Sequence, residues 1–238
     1  MDAPSSVALS GQLARERQMA VLANNIANLS TTAFKGEQML FSAYLTSVNG
    51  TRAAYVEDRG TARDWSQGPM KETGNSLDVA LQGAGFLEVD TAQGVRYTRD
   101  GRLKLDTQGQ LVTLDGDAVL GDGDRPIQLP PGTADIAIAQ DGSITSAGNS
   151  IGKLALVSFD QLQALTADGQ GLYETEETPT PATETKVRQG MLEGSNVQPI
   201  LEMTRLMSAS RSAGLTKNFQ DNEADRHKNA IDRLTKTV

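Results

Sequence analysis

Few side chains in this chain are of a type that does chemistry, and their spacing argues against catalysis. His227 is the sole histidine, and cysteine is absent from the 238 residues. A Ser-His-Asp arrangement would have to recruit His227. A zinc centre of imidazole and thiolate ligands cannot be built from one His. His227 falls on an apolar-periodic seam, so packing or capping is its expected role. Gly83-Ala84-Gly85 opens a pattern like the dinucleotide-binding fingerprint, but Glu88 stands in place of the third glycine. A strand pattern also follows where a helix is required, so a turn between two strands is expected. Asp115-Gly116-Asp117 and Asp122-Gly123-Asp124 suggest calcium ligands, yet Arg125-Pro126 breaks the ligand order and hairpin turns account for both. Glu176-Glu177 is a carboxylate pair in an acidic Thr/Pro loop, without a pocket to raise either pKa for general-acid work. No catalytic, metal or cofactor-binding residue is assigned, and the chain is read as a non-enzyme.

Composition narrows the partners. Hydrophobic residues make up 38% of the chain and aromatics only 4%, below the usual share of a globular domain. A thin core, or one completed by partners, is expected. Without cysteine there are no disulfides and no thiolate chemistry. The net charge is −8, with Lys and Arg scattered singly, so neither nucleic acid nor an anionic membrane surface is an expected partner. No apolar run reaches the roughly 18 residues of a spanning helix. No N-terminal stretch joins a basic start to an apolar core, so no cleavable secretory signal is visible.

The elements that hold these residues fall into three regions. Residues from about Ser6 to Leu29 read as a helix. Met19, Leu22, Ile26 and Leu29 form a 3-4-3 seam, and Ala8, Ala20, Ala23 and Ala27 supply small residues for close approach. Asn28 and Ser30-Thr31-Thr32 end it by competing for backbone hydrogen bonds. The C-terminal stretch from about Asn196 to Val238 reads as a second helix, with Pro199 tolerated in its first turn. Its seam runs Met203, Leu206, Ser210, Ala213, Lys217, Gln220, Ala224, His227, Ile231, Leu234 and Val238. At 1.5 Å per residue, about 40 residues span roughly 60 Å, more than a small β domain can cover. Between the helices the period changes to two. Strands are expected at 77–81, 86–89, 102–106, 135–138 and 154–159, with turns at Asp100-Gly101, Gln108-Gly109, Asp115-Gly116 and Asp141-Gly142. The fold class is α+β. A discontinuous coiled-coil-like domain of residues 1–35 and 193–238 joins an extended connector over 36–76 to a mostly antiparallel β domain over 77–192.

Three motifs resemble those of one family. Ala23-Asn24-Asn25-Ile26-Ala27-Asn28-Leu29-Ser30-Thr31-Thr32-Ala33-Phe34-Lys35 is similar to the N-terminal signature of the bacterial flagellar rod and hook proteins. Gly190 to Val197, followed by Met203-Thr204-Arg205-Leu206-Met207, resembles the family's C-terminal signature. Thr73 to Ala80, Gly83 to Phe86 and Arg96 to Gly101 resemble its β domain. Ala33 departs from the pattern, since glycine is commoner there. The connector and modest length look most like a proximal-rod member. A distal-rod or hook-type member is the alternative, and a β-domain enzyme or adhesin on a helical stalk the remote one.

The resemblance implies a structural subunit whose terminal helices pair in an inner domain, and whose copies stack with other rod proteins into the periplasmic drive shaft around the export channel. It implies delivery by the flagellar type III export apparatus without a cleavable signal, with chain ends unfolded until assembly. It implies no cofactor, no nucleic acid and no direct membrane insertion. The packing positions expected from this reading are Met19, Leu22, Asn24, Asn25, Ile26, Asn28, Leu29, Phe34, Met203, Leu206, Met207, Ile231 and Leu234.

Overall fold

A computed structural model describes residues 3–48, 51–130 and 135–235; within that span, side chains are described for 10–42, 59–130, 135–222 and part of 224–229. Two compact units emerge, neither of them a contiguous stretch. Unit 1 comprises residues 1–29, 36–64 and 197–238; unit 2 comprises 30–35 and 65–196.

Unit 1 is two helices and a hairpin. Helix α1 runs Ala3–Ala27 and α2 runs Pro199–Thr235. Strands β1 (Glu37–Val48) and β2 (Thr51–Arg63) pair antiparallel from Glu37↔Arg63 to Val48↔Thr51. The segment read as an extended connector with little core of its own is, over most of its length, a ladder of backbone hydrogen bonds. The reason it escapes period-two reading lies in its pattern. Met39-Leu40-Phe41 and Tyr44-Leu45 come in runs instead of alternating, and the register shifts between Met39 and Phe41 at a bulge.

Helix α1 buries Ala14, Leu22 and Asn25, with Gly11, Arg15 and Gln18 partly covered on the same stripe. Ala20, Ala23 and Ala27, expected to line a close helix approach, are exposed. The small residues that sit inward are Gly11 and Ala14 on α1, and Ala209 and Ala213 on α2. The seam expected on α2 is also displaced. The covered positions are Glu202, Leu206, Ala209, Ser212, Ala213, Thr216 and Gln220, so 206, 213 and 220 coincide with it, while 203, 210 and 217 give way to the residues just before them. Both stripes have helical 3–4 spacing; the chain turns its small and polar one inward.

Unit 2 is built from strands joined by tight turns. These are β3 (Met70–Glu72), β4 (Val79–Gln82), β5 (Phe86–Thr91), β6 (Gly94–Thr98), β7 (Leu103–Leu105), β8 (Leu111–Thr113), β9 (Ala118–Gly121) and β10 (Arg125–Pro126). They continue as β11 (Ile136–Ile138), β12 (Ser143–Ser146), β13 (Asn149–Lys153), β14 (Leu156–Ser158), β15 (Thr166–Gly169), β16 (Leu172–Glu174), β17 (Thr180–Pro181), β18 (Lys186–Gln189) and β19 (Met191–Glu193). The main sheet runs β15-β16-β6-β5-β9-β8-β7, with β10 on β9 and with β14 bridging β5 and β17. A sheet β11-β12-β13 and the pairs β4–β18 and β3–β19 complete it, and every pairing is antiparallel.

Gln108-Gly109, Asp115-Gly116 and Asp141-Gly142 turn β7 into β8, β8 into β9 and β11 into β12. Asp122-Gly123-Asp124 likewise turns β9 into β10. Asp100-Gly101 does not close a hairpin. Gly101 offers its carbonyl to the Val79 N–H at 2.9 Å, and Asp78 bridges Arg102, so this stretch runs beside β4. The acidic loop over Glu174–Glu184 is less free than expected: β17 lies within it, and Glu177 accepts from the Asp160 and Gln161 N–H groups at 2.9 and 3.2 Å.

Strand β5 has both faces covered. Leu87 and Val89 join an aliphatic core with Val79, Leu81, Leu111, Val119, Ile144 and Leu154. Phe86 points into an aromatic cluster with Tyr97, Phe159, Tyr173 and Trp65. Edge-on contacts at 5.5 Å (Trp65–Phe86), 5.1 Å (Trp65–Tyr173) and 4.7 Å (Tyr97–Phe159) give that cluster the geometry that ring quadrupoles favour. Glu88 is the exception on β5. It is buried opposite Tyr97, and burial first, then the charge of Asp124, raises its pKa.

Candidate assembly site

The expected packing residues divide between the units. Asn25 is the best connected of them. It is 3% exposed. Its Nδ2 donates to the Glu37 carbonyl at 2.8 Å and to Glu202 Oε2 at 3.1 Å, and its Oδ1 accepts from the Glu37 N–H at 2.9 Å. One amide thus ties α1 to the first residue of β1 and to the first turn of α2. Glu202 is itself buried and takes a second bond from Arg205 Nη1 at 2.7 Å. An acidic side chain in a first helical turn also meets the positive end of the helix dipole. Ten residues nearer the start of α1, Arg15 Nη1 donates to Thr216 Oγ1 at 3.0 Å. Since 15 meets 216 and 25 meets 202, α1 and α2 run antiparallel where they touch.

Leu22 is buried, and Met19, Ile26, Asn28 and Leu29 are half-buried in unit 1. Asn24 is exposed and acts through its backbone: its carbonyl accepts from the N–H and from the Nδ2 of Asn28, at 3.1 and 3.0 Å, closing the helix end. Phe34 is half-buried in unit 2, where its carbonyl accepts from the Asn196 N–H at 3.3 Å. Leu206 is half-buried; Met203 and Met207 are exposed. The side chains of Ile231, Leu234 and His227 lie outside the described residues.

The outer face of α2 is the most apolar surface of unit 1 among the described residues. Ile200 is 84% exposed, Leu215 67%, Met207 62% and Phe219 57%, and Leu201 and Met203 join them. At 100° per residue these positions fall on one arc, opposite the covered stripe of 202, 206, 209, 213, 216 and 220. Large apolar side chains concentrated on one uncovered helix face mark an interaction surface.

Charged residues inside the signature motifs, to which sequence reasoning gave no role, are buried in unit 2. Glu193 Oε1 accepts from Lys35 Nζ at 2.7 Å and from the Gly68 N–H at 2.8 Å; its Oε2 accepts from Arg99 Nε at 3.0 Å. Lys35 and Glu193 are each 1% exposed and Arg99 4%. The signal was present in sequence as a Lys directly after Phe34 and a Glu directly after Leu192, but 158 positions separate the two. Gly148-Asn149-Ser150-Ile151-Gly152 has the form of a nucleophile elbow, which corrects the reading that the chain contains none. It runs along the β12–β13 hairpin, with Ser150 paired to Thr145, and not through the strand–turn–helix that such an elbow needs.

The matches to known proteins cover the chain in order. Residues 6–35 match the family model described as flagella basal body rod protein, 80–146 the flagellar hook protein FlgE/F/G D1 domain, and 188–212 the C-terminal region of flagellar basal body rod FlgEFG proteins. The chain is 37% identical over 243 residues to the flagellar basal-body rod protein FlgF of Caulobacter vibrioides, covering 99% of each. It is 34% identical to FlgF of Escherichia coli over 82% of this chain and 83% of that one. Against the rod protein FlgG of Buchnera aphidicola (subsp. Schizaphis graminum) it is 31% identical over 87% of this chain and 90% of the other.

Proposed function

We propose a mode of assembly from one premise: the chain belongs to the flagellar basal-body rod protein family, and within it to the FlgF type. It is a structural subunit of the proximal rod, part of the flagellar basal body, and not an enzyme. The proposal is that α1 and α2 form a paired, coiled-coil-like inner element, and that the outer apolar arc of α2 joins it to neighbouring copies and to other rod proteins in a helical stack. The observation that carries it is the placement of Ile200, Met203, Met207, Leu215 and Phe219 on one exposed face, while a small and polar stripe faces inward.

The energetics fit a subunit that orders itself as it assembles. Helices in water owe most of their stability to tertiary packing. Each large apolar side chain newly covered contributes about 1.5–3 kcal/mol, against about 1–2 kcal/mol for each backbone residue fixed. Two helices whose covered stripes hold Leu22 and Leu206 among Ala, Asn, Thr, Gln and Glu gain little from each other alone. Neighbours that cover the outer arc tip the balance. Within the proposal the subunit reaches the periplasm through the type III export apparatus and forms the drive shaft and its channel with its neighbours. No helix among the described residues is long and apolar enough to cross a membrane.

A double substitution, Met207→Asp with Phe219→Asp, tests the proposal. Both side chains are exposed, so unit 2 should melt as in the wild type, followed by the fluorescence of Trp65. The variant subunit should be missing from purified basal bodies and motility should be lost. Recovery of the double variant in basal bodies at wild-type stoichiometry would sink the outer arc as the joining surface.

A further inference from the structure

We propose that the buried cluster of Lys35, Arg99 and Glu193 is a closure latch: docking of the Glu193 carboxylate sets the rate at which unit 2 folds. The inference concerns unit 2 alone and is independent of how copies join.

The geometry gives the reason. Arg99 lies beneath the corner where β4 turns into β5. Its Nη1 donates to the Gly85 carbonyl at 2.8 Å and its Nη2 to the Leu81 carbonyl at 3.2 Å, and the guanidinium carbon sits 5.6 Å from the centre of the Phe86 ring. Packing Leu81 and Phe86, which belong to the aliphatic and aromatic cores respectively, therefore buries Arg99 as well. Lys35 is drawn in by the Ser66 carbonyl at 2.7 Å, one residue from Trp65 of the aromatic cluster. Both cations pair with the Glu193 carboxylate, Lys35 through Oε1 and Arg99 through Oε2. Burying a charge without its partner is far more costly than burying the pair. The same residue also closes the backbone. The Glu193 carbonyl accepts from the Ala33 N–H at 2.8 Å, and the Gly194 N–H donates to the Pro69 carbonyl at 2.8 Å. Three segments that are remote in sequence, 33–35, 66–69 and 193–194, thus meet at one carboxylate.

The latch makes an asymmetric prediction that ordinary packing does not. Removing Glu193 takes the carboxylate from buried Arg99, whereas removing Lys35 leaves the Arg99–Glu193 pair in place. Because the core corner cannot close around a lone Arg99, the loss should appear in the rate of folding as well as in stability.

The full-length chain and its variants would be diluted from urea and refolding followed by fluorescence of Trp65, the sole tryptophan. Glu193→Gln should refold roughly tenfold or more slowly than wild type, as expected when a buried pair loses its anion, and Lys35→Met within about twofold. A Glu193→Gln chain that refolds at the wild-type rate, its defect confined to faster unfolding, overturns the latch. So does a Lys35→Met chain slowed as much as Glu193→Gln. Should Glu193→Gln not fold at all, Glu193→Asp decides: it keeps the charge at shorter reach and should refold measurably more slowly than wild type, and a wild-type rate overturns the proposal.

Discussion

Asn25 and Glu202 lie 177 positions apart in the chain and share a 3.1 Å hydrogen bond between buried side chains. Because Asn25 also holds both backbone groups of Glu37, its amide is the one polar group that touches both helices and the hairpin of unit 1 among the described contacts. A leucine, branched at the same carbon, supplies none of these bonds, and it leaves a buried carboxylate and a backbone N–H short of partners. The expected cost is roughly 2–4 kcal/mol. Asn25→Leu should be absent from isolated basal bodies, while urea unfolding of unit 2, read at Trp65, stays at the wild-type midpoint. A variant that incorporates normally would show that this amide does not organise unit 1.

Ala33 adopts φ +56° and is buried, with its N–H bonded to the Glu193 carbonyl. A left-handed conformation costs an L-residue about 1–2 kcal/mol, a cost that glycine avoids. Ala33→Gly relieves that strain but gives back about 0.4–1 kcal/mol through a freer unfolded chain. The net expectation is a stabilisation of about 0.5 kcal/mol, visible as a higher urea midpoint. Ala33→Val, branched at Cβ, should lower the midpoint. If Ala33→Gly proves clearly destabilising, the turn is not strained by its alanine.

Glu88 provides a pH signature. Its folded-state pKa is raised by burial, and further by Asp124. The folded chain therefore holds the proton more tightly than the unfolded chain does. Stability from this group is fully present below the unfolded pKa and is lost as pH rises through the folded one. Glu88→Gln, a neutral mimic of the protonated acid, should be more stable than wild type at pH 7 to 8. That advantage should shrink as pH falls through the folded pKa toward the ordinary value of 4.5. Paired urea melts at stepped pH test this; an advantage that does not change with pH removes titration as its cause.

Local pattern revealed the strands of unit 2 well, because Leu103, Leu105, Ile136 and Ile138 alternate and Asp-Gly or Gln-Gly pairs mark the turns between neighbouring strands. It failed where pairing is not with the next strand, as at Gly101 beside Val79. It failed again on β1 and β2, although Asn49-Gly50 is a dipeptide suited to a two-residue hairpin loop. The apolar runs on either side hid the alternation. On α2, residue size misled the reading of the seam. Helical period identifies stripes but does not say which one faces inward, and here hydrogen bonding by Asn25 and Thr216 selects the small, polar stripe. The Lys35–Arg99–Glu193 cluster was out of reach for any local rule, since Glu193 lies 158 positions from Lys35 and 94 from Arg99.

The division of the chain into interleaved segments constrains how such proteins can be recombined. Residues 30–35 belong with the strands although stretches of the other unit flank them on both sides. A single crossover between two related genes therefore splits at least one unit. Exchanging the strand-rich part of one relative for that of another calls for matched junctions near residues 30, 36, 65 and 197, and a graft that carries only the long central stretch arrives without its lysine.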